Sequence, residues 1–310
     1  MNTGGDLAPG ACGGRALLVG VLLTAGCGPE PPHGGMEPPP ETDIFVAEAR
    51  LEGQGPAFGV PVNVTRRPGY DNQPSFLPDG SGFLYSAIRE DMQADIWHYD
   101  LASRSLKRVT ASLESEFSPT VVPGGHGFST VRAEPDGILR LWRWPMEGRS
   151  PQVVLRDITG VAFHTWIDPQ TVALAIARSD KELILEVVDV ASGAERVLAR
   201  DIGRCLHAFP GGRRIAYVDK HAPDGWRIRV LDLDTGAFTA TLPARPGAED
   251  FVVLPDGAIV MAEEQRLFVY APGAGDWALL ADWGDVIDGQ ITRLAASPDG
   301  RRLALVVRTS

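Results

Sequence analysis

The sequence predicts an all-β fold, a six-bladed β-propeller, and three observations carry that expectation. A Pro-Asp-Gly or Pro-Gly-Gly mark returns at Pro78, Pro123, Pro169 (as Asp-Pro-Gln), Pro210, Pro255 and Pro298, at intervals of 45, 46, 41, 45 and 43 residues. Between the marks the chain breaks into short β-rich runs, with no sustained helical periodicity after the first 30 residues. The last unit is half a unit, and its missing half stands ahead of the first mark. A strand-built period of roughly 40–50 residues is the signature of propeller blades.

The fourth unit shows the grammar of one blade. Cys205–Phe209 is an apolar run that stops at Pro210-Gly211-Gly212, and Arg213–Val218 follows as a second β-rich run. Trp226–Leu231 alternates with period two, Asp232–Gly236 turns the chain, and Ala237–Leu242 forms the fourth run. Four runs split by Pro, Gly and Asp clusters read as four antiparallel strands. The turn before the fourth strand recurs at Tyr99–Ser103, Trp144–Gly148, Val188–Gly193 and, more loosely, Tyr270–Gly273.

Ring closure follows from the two ends. Ile291–Ala296 and Arg302–Val307 supply the first two strands of the last unit. Asp43–Glu48, a Leu51-Glu52-Gly53 turn and Val60–Thr65 supply the third and fourth. One sheet made from both ends would close the ring by hydrogen bonding and remove exposed strand edges.

Two runs carry a resemblance to a known family. Pro74-Ser75-Phe76-Leu77-Pro78-Asp79-Gly80 and Asp95-Ile96-Trp97-His98-Tyr99-Asp100 resemble the repeat of TolB-type six-bladed propellers, WD40-like in kind. The resemblance covers residues 42–310. It implies the propeller fold, and its function classes include TolB itself and the propellers of prolyl-oligopeptidase-like enzymes. The α/β domain that precedes the propeller in TolB has no counterpart between residue 41 and the first strand.

The N-terminus reads as an address. Ala16–Ala25 is a ten-residue apolar core after Arg15, too short to span a bilayer and suited to a signal peptide. Leu23-Thr24-Ala25-Gly26-Cys27 looks like the lipobox of bacterial lipoproteins, which implies a signal peptide over 1–26 and acylation of Cys27. Cys12 also follows an alanine, but no apolar core precedes it. Residues 27–41 carry six prolines between Gly28 and Glu41, an extended tether of about 3 Å per residue.

Composition excludes some functions. The formal charge is −11, and it stays so without residues 1–26, which hold one Arg and one Asp. That balance gives no footprint for DNA or RNA. It also makes any membrane attachment rest on acyl chains rather than on a basic patch. Of the three cysteines, Cys205 would have no disulfide partner and reads as a small buried hydrophobe. Roughly 270 residues suffice for a core without disulfides.

Motifs for chemistry are sparse. The sequence has no Gly-x-Ser-x-Gly, His-Glu-x-x-His, Cys-x-x-Cys or EF-hand loop. No catalytic residue, cofactor or metal is therefore expected. His98, His126, His164, His207 and His221 are scattered over the repeats, and pairs could meet only at the central channel. Five residues before each mark stand Gln73, Ser118, His164, Cys205, Asp250 and Arg293, a set that would ring the channel mouth. Its polar members, Gln73, Ser118, His164, Asp250 and Arg293, are the candidate binding residues, and a His–Asp pair with an Arg nearby could take a small anion or a metal. Trp97, Trp142, Trp144, Trp226, Trp277 and Trp283 are expected to pack blade against blade, mostly from third strands. Glu114, Glu116, Glu263 and Glu264 read as solvated hairpin charges. The expected function is a monomeric, lipid-anchored, non-catalytic binding or scaffold module of the bacterial cell envelope, on the periplasmic or surface face of the outer membrane, whose partner is another envelope protein or peptide. The alternative is a lactonase- or lyase-like enzyme with its site at the channel mouth.

Overall fold

The computed structural model describes residues 39–51, 56–89, 91–125, 127–179 and 182–309. Cys27, the signal-like segment, most of the tether and His126 lie outside the described residues. The described chain opens with β1 (Thr42–Leu51), β2 (Pro56–Phe58) and β3 (Val62–Asn63). Next come β4 (Tyr70–Phe76), β5 (Gly82–Ile88), β6 (Ala94–Asp100) and β7 (Leu106–Arg108), then β8 (Ser115–Val121), β9 (Phe128–Ala133), β10 (Leu139–Trp144) and β11 (Gln152–Val153). The third group is β12 (Val161–Asp168), β13 (Thr171–Ala177), β14 (Leu183–Asp189) and β15 (Glu195–Arg200). The fourth is β16 (Ile202–Phe209), β17 (Arg214–Asp219), β18 (Arg227–Asp232) and β19 (Phe238–Pro243). β20 (Phe251–Val253), β21 (Ile259–Glu263), β22 (Arg266–Tyr270) and β23 (Ala278–Asp282) precede the last pair, β24 (Gln290–Ala296) and β25 (Arg302–Arg308).

Each group is an antiparallel sheet in chain order, so the repeat of the sequence is the repeat of the structure. The mark is a tight turn between first and second strands. At Pro78-Asp79-Gly80, Gly80 takes φ 68° and donates its N–H to Leu77 O at 2.9 Å, while Asp79 accepts the Ser81 N–H and hydroxyl. The turn before the fourth strand is held in the same way by Asp100, Asp189 and Asp232, each accepting from a Ser or Thr three residues on. Short acidic side chains favour such turns because they bond their own backbone two or three residues ahead.

The strands differ in burial according to their depth. The second strands β5, β13, β17 and β25 are almost wholly buried, whereas β7, β15 and β19 carry mainly exposed residues. A second strand meets a neighbouring sheet on each face. On β25, Leu303, Leu305 and Val307 pack with Val252, Val260 and Leu267 of the preceding sheet. Ala304 and Val306 turn the other way, onto Phe76, Phe83, Tyr85 and Tyr99. Each fully buried Leu, Val or Phe contributes about 1.5–3 kcal/mol.

The first strands form a closed cycle. β4 touches β8, β8 touches β12, and the sequence runs on through β16, β20 and β24, which returns to β4. Closure by the two ends is direct: β1 pairs antiparallel with β25 from Thr42↔Arg308 to Glu48↔Arg302, and β25 pairs with β24. A single parallel bridge, Thr42↔Tyr70, links this sheet to the next. The result is an all-β propeller.

The outer strand of the closing sheet departs from expectation. In place of one run over Val60–Thr65 there are two short pieces, β2 opposite Ala49–Leu51 and β3 opposite Phe45–Val46. Pro61 lies between them and has no N–H to give to the ladder. β1 also runs on to Leu51, where the expected turn begins; residues 52–55 lie outside the described residues.

Several glycines make a close approach to backbone that no other residue permits, Gly82 and Gly127 among them. A Cβ on Gly82 would sit 2.2 Å from Tyr99 O, and one on Gly127 2.0 Å from Trp144 O, with Gly127 also at φ 106°. Gly127→Ala is expected to destabilise the protein by about 2–4 kcal/mol, measured by urea unfolding, against less than about 0.5 kcal/mol for Gly193→Ala corrected for its own positive φ by a Gly193→Asn control.

Candidate functional site

The ring expected from the repeat comes together. Gln73, Ser118, His164, Cys205, Asp250 and Arg293 all line one cavity of about 290 Å³ at the centre of the first-strand cycle. The reason is a recurrent irregularity of the innermost strands. Register shifts fall between Asn72 and Ser75, Phe117 and Thr120, Val161 and Phe163, Ile202 and Leu206, and Ile291 and Arg293. Gln73 and Ser118, inside two of these bulges, take φ 58° and 52°. A bulge adds a residue to one strand and re-aims its side chain, here toward the axis.

One wall of the cavity is charged. Arg204 donates from Nε to Asp250 Oδ2 at 3.0 Å and from a terminal nitrogen to Thr292 O at 2.5 Å, while its backbone N–H meets Glu249 at 3.2 Å. Arg293 approaches the same Asp250 oxygen at 3.6 Å and lays its guanidinium over the Phe163 ring, 5.0 Å from the centroid. Arg293 thus reaches from β24 across the channel to β12. Burial pulls the Arg293 pKa down, helped by the Arg204 charge; at Arg204 burial is outweighed by Asp250, which raises it. Tyr70 beside them is held protonated by burial.

The same two arginines line a second cavity of about 220 Å³ with Glu249, Glu263 and Thr292, and a small third one with Pro40, Thr42 and Tyr70. They form the partition between the channel and the outer cleft.

The opposite wall is neutral. Gln73 Oε1 accepts the Ser118 N–H at 2.7 Å and the Ser86 hydroxyl at 3.0 Å, which fixes the orientation of the amide. His164, 7% exposed, meets Ser129 Oγ through Nε2 at 2.6 Å, and Trp166 Nε1 donates to the same oxygen at 2.8 Å. Burial pushes the His164 pKa down to about 3, so the ring is neutral at physiological pH. His164 Nδ1 and Ser118 Oγ are buried without a protein partner. The Cys205 thiol is raised well above its ordinary range by burial and contacts Phe251 O at 3.2 Å, as a buried small hydrophobe would. Among the described residues no three His, Cys, Asp or Glu side chains are grouped to hold a metal.

Other expectations resolve differently. Glu116 is fully buried rather than solvated, bonded to the Thr110 and Ser112 hydroxyls and 3.6 Å from Arg132, and burial pushes its pKa up to about 7. Glu114 pairs with Arg132, and Glu263 with Arg245 and Arg266. Trp144 and Trp283 are buried, but Trp277 and Trp283 flank the fourth strand β23 rather than a third strand. His207 joins His164 at the cavity, whereas His98 and His221 do not line it.

Arg204, Ser129 and Trp166 were not legible as site residues. Counting back from each mark selects one residue per unit, and the bulge in β16 brings two consecutive residues, Arg204 and Cys205, to the axis. An arginine directly after a glycine in an innermost apolar strand, Gly203-Arg204, was the available signal.

No family model and no curated protein matches the sequence. Among solved structures, a protein designated TolB from Agrobacterium tumefaciens superposes with TM-score 0.67 at 18% identity, covering 87% of this chain and 99% of that one. TolB from Acinetobacter baumannii gives TM-score 0.56 at 15% identity, covering 86% of this chain and 64% of that one. At these identities the likeness is one of fold, and the fold is a TolB-like β-propeller.

Proposed function

We propose that this chain is a non-catalytic binding module: a six-bladed propeller over residues 42–310, carried on the tether 27–41 and anchored by lipid on Cys27 after loss of 1–26. Its partner is another envelope protein or a peptide, received at the central channel. One observation carries the reading. Repeat-equivalent side chains from every first-strand position converge on one polar cavity, and a propeller offers such a channel to ligands from its face. The signal-like N-terminus and the likeness to two chains designated TolB support an extracytoplasmic setting. The formal charge of −11 argues against nucleic acid as the partner.

Two measurements test this. With a photo-reactive residue in place of Thr165, which lines the channel, a specific polypeptide adduct is expected in intact cells. The same residue at Val197 on the outer strand β15 should give none, and identical adducts from both would refute channel docking. Separately, Cys27→Ser is expected to abolish fatty-acid labelling and release the protein from membranes. Retention of both label and membrane association by that variant would refute the anchor.

A further inference from the structure

The channel cavity offers donors that the protein leaves unused. Gln73 spends its Oε1 on Ser118 and Ser86, so its Nε2 amide hydrogens, which have no bond among the described residues, are the end left for the cavity. The Arg293 side chain is 13% exposed, its guanidinium forms no hydrogen bond within the described residues, and it approaches Asp250 only at 3.6 Å. Ser118 and His164, each more than nine-tenths buried, line the same space with a polar atom unpartnered. The 2.6 Å Ser129–His164 contact is shorter than N–H···O bonds run and suits O–H···N. Trp166 can only donate to Ser129, whose single hydrogen has two acceptors in reach, Thr120 O at 3.3 Å and His164 Nε2 at 2.6 Å; given to the nearer, it leaves the His164 proton on Nδ1. Arg204 and Arg293 against Asp250 leave one net positive charge.

We infer that the channel holds a site for a single carboxylate, bound by the Arg293 guanidinium and the Gln73 amide. This rests on the binding reading above and names the chemistry of the group received. A guanidinium fork matches a carboxylate, and one negative charge completes the neutralisation. A phosphate dianion would exceed it and would face the Asp250 carboxylate across the low-dielectric channel. In a polypeptide partner the group is an Asp or Glu side chain or the C-terminus.

The test is a titration of the purified full chain labelled with ¹⁵N-glutamine, at constant ionic strength and pH 7. The Gln73 side-chain amide signals, assigned by their loss in Gln73→Asn, are expected to shift saturably with acetate and at least tenfold less responsively with inorganic phosphate. Arg293→Gln should weaken acetate at least tenfold, and Arg293→Lys, which keeps the charge and loses the fork, about threefold. Tetra-alanine with a free terminal carboxylate should bind at least as well as acetate, and its carboxamide should not. The proposal is overturned by no saturable acetate shift, by phosphate binding more tightly, or by equal binding of acid and amide. If Arg293→Gln does not fold, unweakened binding in Arg293→Lys overturns the fork contact. Loss of the Thr165 adduct with acetate binding intact would count against the partner reading alone; the converse would count against the carboxylate alone.

Discussion

Removing residues 302–310 is expected to abolish cooperative unfolding altogether. β25 supplies Leu303, Leu305, Val306 and Val307, all fully buried, and is the strand that joins β24 to β1. At about 1.5–3 kcal/mol each, these four side chains contribute about 6–12 kcal/mol, comparable with the whole stability of a domain. The gentler Leu305→Ala should cost about 2–5 kcal/mol, because the cavity it leaves is walled by both the preceding sheet and β1. Calorimetry would show a lost transition for the truncation and a lowered one for the point variant. An unchanged melting temperature in the truncated protein would mean that the first-strand cycle holds without the closing sheet.

The second large effect is a dependence of stability on pH set by two buried carboxylates. Asp71 and Glu116 occupy the same repeat position, seven residues before Pro78 and Pro123. Burial pushes Asp71 up to about 6 against its ion pair with Arg67, and Glu116 up to about 7. Because both folded values exceed the unfolded ones, the folded protein holds protons that the unfolded chain has released between about pH 4 and 7. Stability from these groups is full below the unfolded pKa values and is lost as pH rises through the folded ones. Together with the ordinary 1.36 kcal/mol per pKa unit, each contributes up to about 3 kcal/mol. Asp71 and Glu116 should therefore raise the melting temperature as pH falls from 8 to 5, against His98, His164 and His207, whose pKa values burial lowers and which act the other way. Asp71→Asn with Glu116→Gln should remove the carboxylate contribution, so that the melting temperature of the variant gains less, or falls more, than that of the wild type between pH 8 and 5. Below pH 4 the trend should reverse, because turn hydrogen bonds hold Asp79, Asp100, Asp189, Asp232 and Asp299 below their usual range. A melting temperature that follows the same course from pH 8 to 5 in the wild type and in the double variant would contradict this account.

The fold was legible because its signals are local. The Pro-Asp-Gly turn, the Asp-bearing turn before the fourth strand and the period-two runs each require particular residues at particular places, and all recur. The shared sheet was legible too, since half a unit at one end called for the other half. What was not legible depends on long-range packing or on irregular backbone. Glu116 reads as a hairpin charge in sequence, yet Arg132, Thr110 and Ser112 enclose it. Counting from the mark found Gln73 and Arg293 because the bulges recur at nearly the same place. It missed Arg204 because a bulge presents two neighbours where a regular strand presents one. Pro61 divided the last outer strand, although its missing N–H could have been weighed beforehand.

The central claim is that β1 and β25 lie side by side and close the ring. Val46 and Ala304 are direct cross-strand partners, so cysteines placed at both positions, with Cys205 changed to Ala, should join on mild oxidation. Once the chain is cut by a single protease nick in a surface loop, the two fragments should stay together on a non-reducing gel and separate on reduction. Free thiols at 46 and 304 in the folded, oxidised protein, or fragments that part without reductant, would contradict the closed ring.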